Sequence, residues 1–307
     1  MTNSNDNVLQ GILLMLGFCI TAPVIDVAAK LAAATVPVGQ ITTARFVVQA
    51  MVMAPVCLIL GYSLRIPKGT LGILALRAVF LILSTYFFVA AVQVMPIADA
   101  LAIVFVEPFI LLILGKYLFG DDVGPRRIGA CAVGFLGVLL VIQPKFAAFG
   151  LIVLYPLGTA VTFALYMLVT RSLGQRMHPI AMQLHTATVA AAMCIPIMLI
   201  ANGSGITSLD PVMPAGIEWV WLAGVGIAAS IAHLMMTYAL RLAPTSTLAP
   251  LHYLEIVSAV FFGYLIFSDF PDVLTWLGIG IVVASGLYVI HRERITARAI
   301  APLAGHP

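Results

Sequence analysis

Long apolar runs joined by short polar connections make up most of this chain of 307 residues. In a window of about 19 residues the chain separates into successive apolar runs, each long enough to cross a hydrocarbon core about 30 Å thick as a helix. The runs lie at residues 9–33, 38–62, 71–92, 97–118, 126–143, 150–171, 179–201, 216–240, 244–267 and 272–291. The pattern predicts an all-α integral membrane protein with ten transmembrane helices.

The composition agrees with this prediction and excludes a soluble globular protein. Hydrophobic residues make up 62% of the chain and charged residues 9%, and the mean hydropathy is +1.12, which is far from soluble domains. The first run follows the tail MTNSNDNV, which has no Lys or Arg, and contains Asp26 and Lys30. A signal peptide has a basic start and a shorter apolar core, so we expect the first run to be retained.

The distribution of Lys and Arg predicts the orientation. Cytoplasmic loops carry an excess of these residues, and with the N-terminus cytoplasmic that side and the adjoining span ends collect most of them. They are Arg65, Lys68, Arg77, Lys116, Arg126, Arg127, Arg171, Arg176, Arg241, Arg292, Arg294 and Arg298. The opposite side receives only Lys145. We therefore predict that both termini are cytoplasmic, and the net charge of +3 follows from topology and does not indicate a nucleic-acid partner.

An internal repeat relates the two halves of the chain at an offset of 148 residues. The segments PIADALAIVFVEPFILLILGKYLFGD and PTSTLAPLHYLEIVSAVFFGYLIFSD share the positions of their first proline, of a glutamate (Glu107 and Glu255) and of a final aspartate (Asp121 and Asp269). A Gly-rich span follows each segment, so the repeat is five spans long and its second copy is inverted. The predicted divisions are a cytoplasmic tail (1–8), a first repeat (9–143), a linker (144–149), a second, inverted repeat (150–291) and a cytoplasmic tail (292–307).

The chain resembles the EamA type of the drug/metabolite transporter superfamily over residues 9–291. The resemblance rests on the ten spans in two inverted halves and on the segments TTARFVVQA, FVEPFILLILGKYLFGDD and YLEIVSAVFFGYLIFSD. It implies a secondary transporter of the bacterial inner membrane that moves a small organic metabolite by alternating access. It also implies that the protein is not an enzyme.

Glu107 and Glu255 are the first candidates for the transport site. A carboxylate in the middle of a spanning helix costs a few kcal/mol on insertion scales, so it normally faces a cavity or a partner. The two residues occupy equivalent places in the inverted halves and are expected to face one central cavity. Pro108 is expected to interrupt its helix and free the carbonyl of Val104. The alternative is that Glu107 is protonated and hydrogen-bonded between helices in a structural role.

Asp26, Lys30 and Arg45 are three further charged residues within predicted spans. Asp26 and Lys30 are four residues apart on one face of a helix, where they either neutralise each other or receive the ammonium and carboxylate of a solute. Arg45 lies about eight residues into the second span, too deep to reach the surface easily, and is expected to pair with Asp26 or Glu107 or to bind an anionic group.

Aromatic and imidazole side chains complete the candidate site. Tyr86, His252 and Tyr253 suit a heteroaromatic solute because each offers a ring face and a polar tip, although plain packing explains them equally well. His233 is interpreted as a packed, hydrogen-bonded histidine, with proton relay as the alternative. No carboxylate stands at metal-ligand spacing from His185 or His233, and neither a metal nor a cofactor is expected.

Riboflavin uptake is the substrate prediction that follows from this resemblance. Asp-x-x-x-Lys in the first span and ARF in the second are most similar to the metabolite-uptake members of the family, and the cations Lys30 and Arg45 disfavour a positively charged solute. S-adenosylmethionine or amino-acid transport, inward or outward, is the alternative.

A membrane-embedded enzyme or a non-transporting receptor is the alternative of a different class, although the chain has no HExxH, GxSxG or Walker sequence. The predicted partners are a small-molecule substrate and the lipid bilayer, with a coupling proton and a homodimer as further hypotheses.

Overall fold

The computed structural model describes residues 4–95, 97–121, 123–142, 150–267 and 273–300. Within these ranges the chain forms twelve α-helices. They are α1 (Ser4–Ala32), α2 (Val38–Ile59), α3 (Leu71–Val94), α4 (Ile97–Val104), α5 (Glu107–Phe119), α6 (Pro125–Ile142), α7 (Leu154–Gly174), α8 (Pro179–Ala201), α9 (Glu218–Leu242), α10 (Thr245–His252), α11 (Glu255–Phe267) and α12 (Val273–Ile300).

The helices have the length and composition of membrane spans. Among the described residues, seven helical segments are long and apolar enough to cross a bilayer. They are Asn7–Ala32, Val38–Ile59, Leu71–Val94, Gly150–Gly174, Pro179–Ala201, Glu218–Leu242 and Thr245–Ile266, and Trp276–Arg292 is a shorter apolar helix. The all-helical architecture of the described ranges agrees with the integral membrane protein that the apolar pattern predicts.

Two predicted spans are broken in the middle. α4 ends at Val104 and α5 begins at Glu107, and in the same way α10 ends at His252 and α11 begins at Glu255. The interruption predicted at Pro108 takes the form of a break between two helices, and Pro108 lies in the first turn of the second one. Proline fits that turn because its missing N–H is not needed there. The Glu107 carboxylate therefore belongs to a helix N-terminus, where the helix dipole favours negative charge.

The two halves of the chain are packed against each other helix by helix. α1 packs on α9, α2 on α8, α3 on α7 and α6 on α12. Glycine permits the close approach of α6 to the second half, because a Cβ at Gly134 would lie 2.7 Å from the Tyr253 ring and one at Gly137 would lie 2.8 Å from Val282. These glycines thus serve contacts within one chain. The homodimer hypothesis for the Gly-rich spans stays a prediction.

Candidate functional site

A central cavity lies between the two halves. Helices α1, α2, α3, α4, α7, α9, α10 and α11 contribute to its wall. The titratable side chains in the wall are Asp26, Arg45, His233, His252 and Glu255. The hydroxyl and aromatic side chains are Ser84, Thr85, Thr159, Phe18, Phe88, Phe105 and Phe163. The cavity therefore combines both signs of charge with several ring faces.

One imidazole joins the two glutamates that the repeat relates. His252 Nδ1 lies 2.7 Å from Glu107 Oε2, and His252 Nε2 lies 3.0 Å from Glu255 Oε2. All three side chains are buried. An imidazolium donates from both nitrogens to the two carboxylates, so the cluster carries one net negative charge when both glutamates are ionised. Glu107 Oε1 has no hydrogen-bond partner and is a vacant acceptor.

The breaks in the two spans place this cluster. His252 is the last residue of α10 and Glu255 the first of α11, so both point to one side of the break, and α10 packs on α5, which begins at Glu107. The Tyr253 hydroxyl donates to the Phe105 carbonyl over 3.2 Å. A carbonyl in one break thus accepts a hydrogen bond from a side chain in the other.

A second polar network leads away from the cavity. Arg45 donates to Thr85 Oγ1 and, over 2.6 Å, to His233 Nε2. His233 Nδ1 lies 3.1 Å from the Tyr166 hydroxyl, which also accepts from Arg77 Nη2 over 2.8 Å. Because arginine only donates, His233 Nε2 accepts and Nδ1 carries the proton. This geometry makes His233 neutral and argues against a proton relay through it.

Arg77 anchors that network in the interior. Its side chain has no solvent exposure, and its guanidinium donates to Thr170 Oγ1 and Gln183 Oε1, each over 2.8 Å. It also lies over the Tyr166 ring, with 4.6 Å from Cζ to the centroid. Arg77, which the sequence analysis assigned to a span end on the cytoplasmic side, is therefore an interior residue whose charge is solvated by neighbouring helices. Its predicted side of the membrane stays a prediction.

The structure brings some of the predicted residues to the cavity and leaves others outside it. Asp26, Arg45, His252 and Glu255 line it. Glu107 is outside the lining and reaches it only through His252.

Lys30, Tyr253 and Tyr86 are not in the cavity wall. Lys30 Nζ donates to the carbonyls of Val92 and Met95 over 3.4 and 3.2 Å, and the ion pairs of the described residues do not join it to Asp26. Tyr253 is directed toward α6. Tyr86 is half-buried beside Phe87, with ring centroids 6.4 Å apart. Three residues used in the sequence argument, Pro96, Lys145 and Asp269, lie outside the described residues.

Sequence reasoning missed the contribution of α7. Thr159 and Phe163 line the cavity, and Tyr166 and Thr170 belong to the Arg77 network. These four residues follow each other at intervals of four, three and four, which places them on one face of a helix. A stripe of hydroxyls and rings on an otherwise apolar helix was the signal available in the sequence.

Polar contacts join the two halves near the C-terminal end of α7. Arg171 donates to both carboxylate oxygens of Asp121 over 2.7 and 2.8 Å, and Thr245 Oγ1 donates to Asp121 Oδ2 over 2.5 Å. Partial burial disfavours ionised Asp121, but the hydrogen bonds from Arg171 and Thr245 outweigh it and lower the pKa of this carboxyl. We call these three residues the Asp121 latch.

A second set of contacts joins the halves in another place. Gln40 exchanges two hydrogen bonds with the backbone of Val212, of 2.8 and 2.9 Å, and Thr35 donates to Glu218 Oε1 over 2.5 Å. α8 begins shortly after α7 ends and finishes at Ala201, before the segment that holds Val212. The two sets of contacts therefore lie near opposite ends of α8.

A helical membrane fold with a central cavity that is lined by charged and aromatic side chains is typical of a membrane transporter. Residues 9–143 and 150–291 match the EamA-like transporter family, so the chain belongs to that family, which confirms the assignment made from the sequence. A solved crystal structure shares the fold with a TM-score of 0.73 at 18% identity, over 94% of this chain and 99% of that chain.

Similar curated proteins are named as transporters of small metabolites. An S-adenosylmethionine uptake transporter of Rickettsia prowazekii is 23% identical and aligns over 96% of this chain and 97% of its own. A riboflavin transporter of Rhizobium johnstonii is 27% identical over 71% and 69%. A pseudopaline exporter of Pseudomonas aeruginosa is 25% identical over 94% and 98%. The similarity extends across several substrates and both directions of transport.

Proposed function

We propose that this protein is a secondary transporter that carries a small organic metabolite across the bacterial inner membrane by alternating access. The observation that carries the proposal is the cavity, which lies between the two halves and has charges of both signs in its wall. Its ten spans form two inverted repeats, 9–143 and 150–291, with both termini cytoplasmic. The matching breaks before Glu107 and Glu255 support the repeat.

In this scheme the Asp121 latch and the contacts of Gln40 and Thr35 are the two closures of the cavity. Alternating access requires that they open one at a time. Each closure joins a residue of the first half to one of the second, as in Asp121 with Arg171 and Gln40 with Val212. Rocking of the halves about the cavity breaks one set while the other holds. In this scheme the described geometry is an intermediate in which the solute is enclosed.

The Glu107–His252–Glu255 cluster couples a proton to this movement. It also crosses between the halves, because Glu107 belongs to the first and the other two residues to the second. A proton added to either carboxylate neutralises the net negative charge of the cluster and weakens one of its two charge-assisted hydrogen bonds. Protonation therefore loosens a contact between the halves. Asp26 and Arg45 share the cavity and add one charge of each sign.

The substrate class follows from the charges that remain in the cavity wall. Asp26 and Glu255 suit an ammonium group, Arg45 suits a carboxylate, and Phe18 and Phe163 offer ring faces to an aromatic group. Lys30 points to backbone carbonyls outside the cavity, which weakens the electrostatic argument against a cationic solute. An amino-acid head group joined to a ring system, as in S-adenosylmethionine, fits this pattern better than riboflavin, which has no ionised group at neutral pH.

A thermal-shift screen of the purified protein in detergent tests the proposal. The compounds are S-adenosylmethionine, riboflavin, flavin mononucleotide, aromatic amino acids and quaternary amines. A ligand at a hundred times its Kd stabilises the folded state by about 2.7 kcal/mol, so a substrate raises Tm in a saturable way. The shift is expected to be lost in Asp26→Asn. It is expected to be kept in Tyr86→Phe, which removes only a hydroxyl from a side chain outside the cavity lining. No saturable shift with any compound contradicts a metabolite site in this cavity.

A further inference from the structure

We propose that Arg45 is a carboxylate subsite and that Tyr166, which does not touch the cavity, is the positioning residue that keeps this guanidinium available to the solute. The inference rests on the proposed transport function and adds to it the residue that selects the anionic part of the substrate. It concerns four side chains in a row, Arg45, His233, Tyr166 and Arg77.

Arg45 is a buried cation whose own protein partners are neutral. It is 5% exposed, and its partners are the Thr85 hydroxyl and the His233 imidazole. Its Nε has no hydrogen-bond partner. Among the described residues the ion pairs do not include Arg45. Buried arginines are normally paired with an acid. Asp26 lies in the same cavity wall but forms no ion pair with Arg45, so Arg45 keeps an unused donor at the cavity.

The orientation of Arg45 depends on the tautomer of His233. Arg45 is held only if His233 Nε2 lacks a proton and accepts. A neutral imidazole then carries its proton on Nδ1 and needs an acceptor there, and the Tyr166 oxygen lies 3.1 Å away. In the other tautomer the N–H on Nε2 would face the N–H groups of Arg45, so two donors would meet and no hydrogen bond could form. Tyr166 therefore selects the tautomer that binds Arg45.

Arg77 fixes the hydroxyl that makes this selection. Its Nη2 donates to the Tyr166 oxygen over 2.8 Å, and the rest of the guanidinium is held by hydroxyls such as those of Thr170 and Thr186. Guanidinium groups thus donate into both ends of the His233–Tyr166 pair. Neither hydrogen-bond partner of Arg45 is negatively charged, and its Nε donor is unused. A carboxylate pairs with a guanidinium through two hydrogen bonds, so it is the group that suits this donor.

Two pairs of probes test this assignment in binding experiments on the full-length purified protein. S-adenosylmethionine is compared with its decarboxylated form, and L-tryptophan with tryptamine, so that each pair differs by one carboxylate. Wild type is expected to prefer the carboxylate member by about tenfold or more in Kd. Tyr166→Phe is expected to reduce this preference about tenfold while leaving the Kd of the carboxylate-free member unchanged. Thr85→Val, which alters the cavity wall, is also expected to reduce the preference.

The control is Tyr155→Phe, on the same helix and 41% exposed, which is expected to keep the preference. His233→Gln is expected to retain part of it, because an amide oxygen also accepts from Arg45, whereas His233→Leu loses it. Equal binding of both members by wild type, or a full preference in Tyr166→Phe, overturns the subsite and leaves the transport function standing. If the protein binds riboflavin but none of the four paired probes, the subsite is likewise overturned and the transport function still stands. Absence of binding to every compound, riboflavin included, contradicts the proposed function and the subsite together.

Discussion

Glu107 and Glu255 contact opposite nitrogens of a single imidazole, that of His252, at 2.7 and 3.0 Å. The two carboxylates are equivalent in the repeat, but the bridge between them is not, because the first repeat has Val104 where the second has His252. A contact inside the membrane thus joins the halves through one residue of the second repeat. The first prediction tests whether this contact carries the proton.

Glu107→Gln separates coupling from binding. The amide keeps the shape of the side chain and can still hydrogen-bond to His252, but it cannot take up a proton. Solute-driven proton uptake is expected to fall by more than tenfold, about 1.4 kcal/mol or more in the coupling step, whereas the Kd of the solute changes little because Glu107 is outside the cavity wall. Glu255→Gln, in the wall, is expected to affect both. Wild-type pH-dependent flux in proteoliposomes of Glu107→Gln contradicts the coupling role.

The Asp121 latch makes stability depend on pH. The pKa of Asp121 is lowered in the folded protein, so its contribution is present above the ordinary aspartate value of about 3.9 and disappears as the pH falls through the lower folded-state value. Asp121→Asn is expected to destabilise the protein by about 1–3 kcal/mol at pH 7, a difference that shrinks toward zero in strong acid. Unfolding in detergent at several pH values measures this.

The control for that experiment is Arg176→Gln, which removes an exposed cation near Arg171 in the chain. It is expected to leave the unfolding curve unchanged at every pH. If Asp121→Asn shows the same pH dependence of stability as wild type, the latch does not hold the halves together.

Two glycines of α6 predict opposite effects of the same substitution. A Cβ at Gly134 would lie 2.7 Å from the Tyr253 ring, while nothing lies within 4 Å of one at Gly129. Gly134→Ala is expected to destabilise the protein by about 1–3 kcal/mol, because it overpacks a helix contact. Gly129→Ala is expected to be neutral or to stabilise it by up to about 1 kcal/mol through helix propensity. Thermal unfolding of the two variants measures the difference, and equal Tm values exclude close packing of α6 on the second broken span.

Substitutions of Lys30 and Arg45 are predicted to differ in their effect on the KM of the solute, although both residues are cations within the first two helices. Lys30→Gln loses only its bonds to carbonyls at the end of α3, which are worth about 0.3–1 kcal/mol in stability, and the KM of the solute should not change. Arg45→Gln is expected to raise KM about tenfold or more. Transport assays of the two variants measure this. A larger effect of Lys30→Gln on KM would mean that the Asp26–Lys30 pair belongs to the substrate site.

The sequence was sufficient for the membrane class, the family and most of the titratable residues in the cavity wall. The shared spacing of Glu107 and Glu255 pointed to the centre because it is a local, countable feature. The sequence alone did not predict the break before Glu107, since a proline at position 108 is compatible with a kinked helix as well as with the start of a new one. His252 and Tyr253 are adjacent, and only the break decides that the first faces the cavity while the second faces α6.

The Arg77 network shows a different limit. Its members come from α3, α7, α8 and α9, so no single stretch of sequence reveals it, and a cation near the start of an apolar run is easily assigned to the membrane surface. What identifies Arg77 as an interior residue is the set of hydroxyls and amides that neighbouring helices aim at it. Such solvation arises only when the helices are assembled.

The most direct test is uptake by proteoliposomes under an imposed pH gradient, using the solute that gives the largest thermal shift. The account predicts that wild type concentrates this solute when a proton gradient is present, that a protonophore abolishes the accumulation, and that Glu107→Gln only equilibrates it. Accumulation that ignores the pH gradient, or that persists unchanged in Glu107→Gln, contradicts the claim that the Glu107–His252–Glu255 cluster couples a proton to transport.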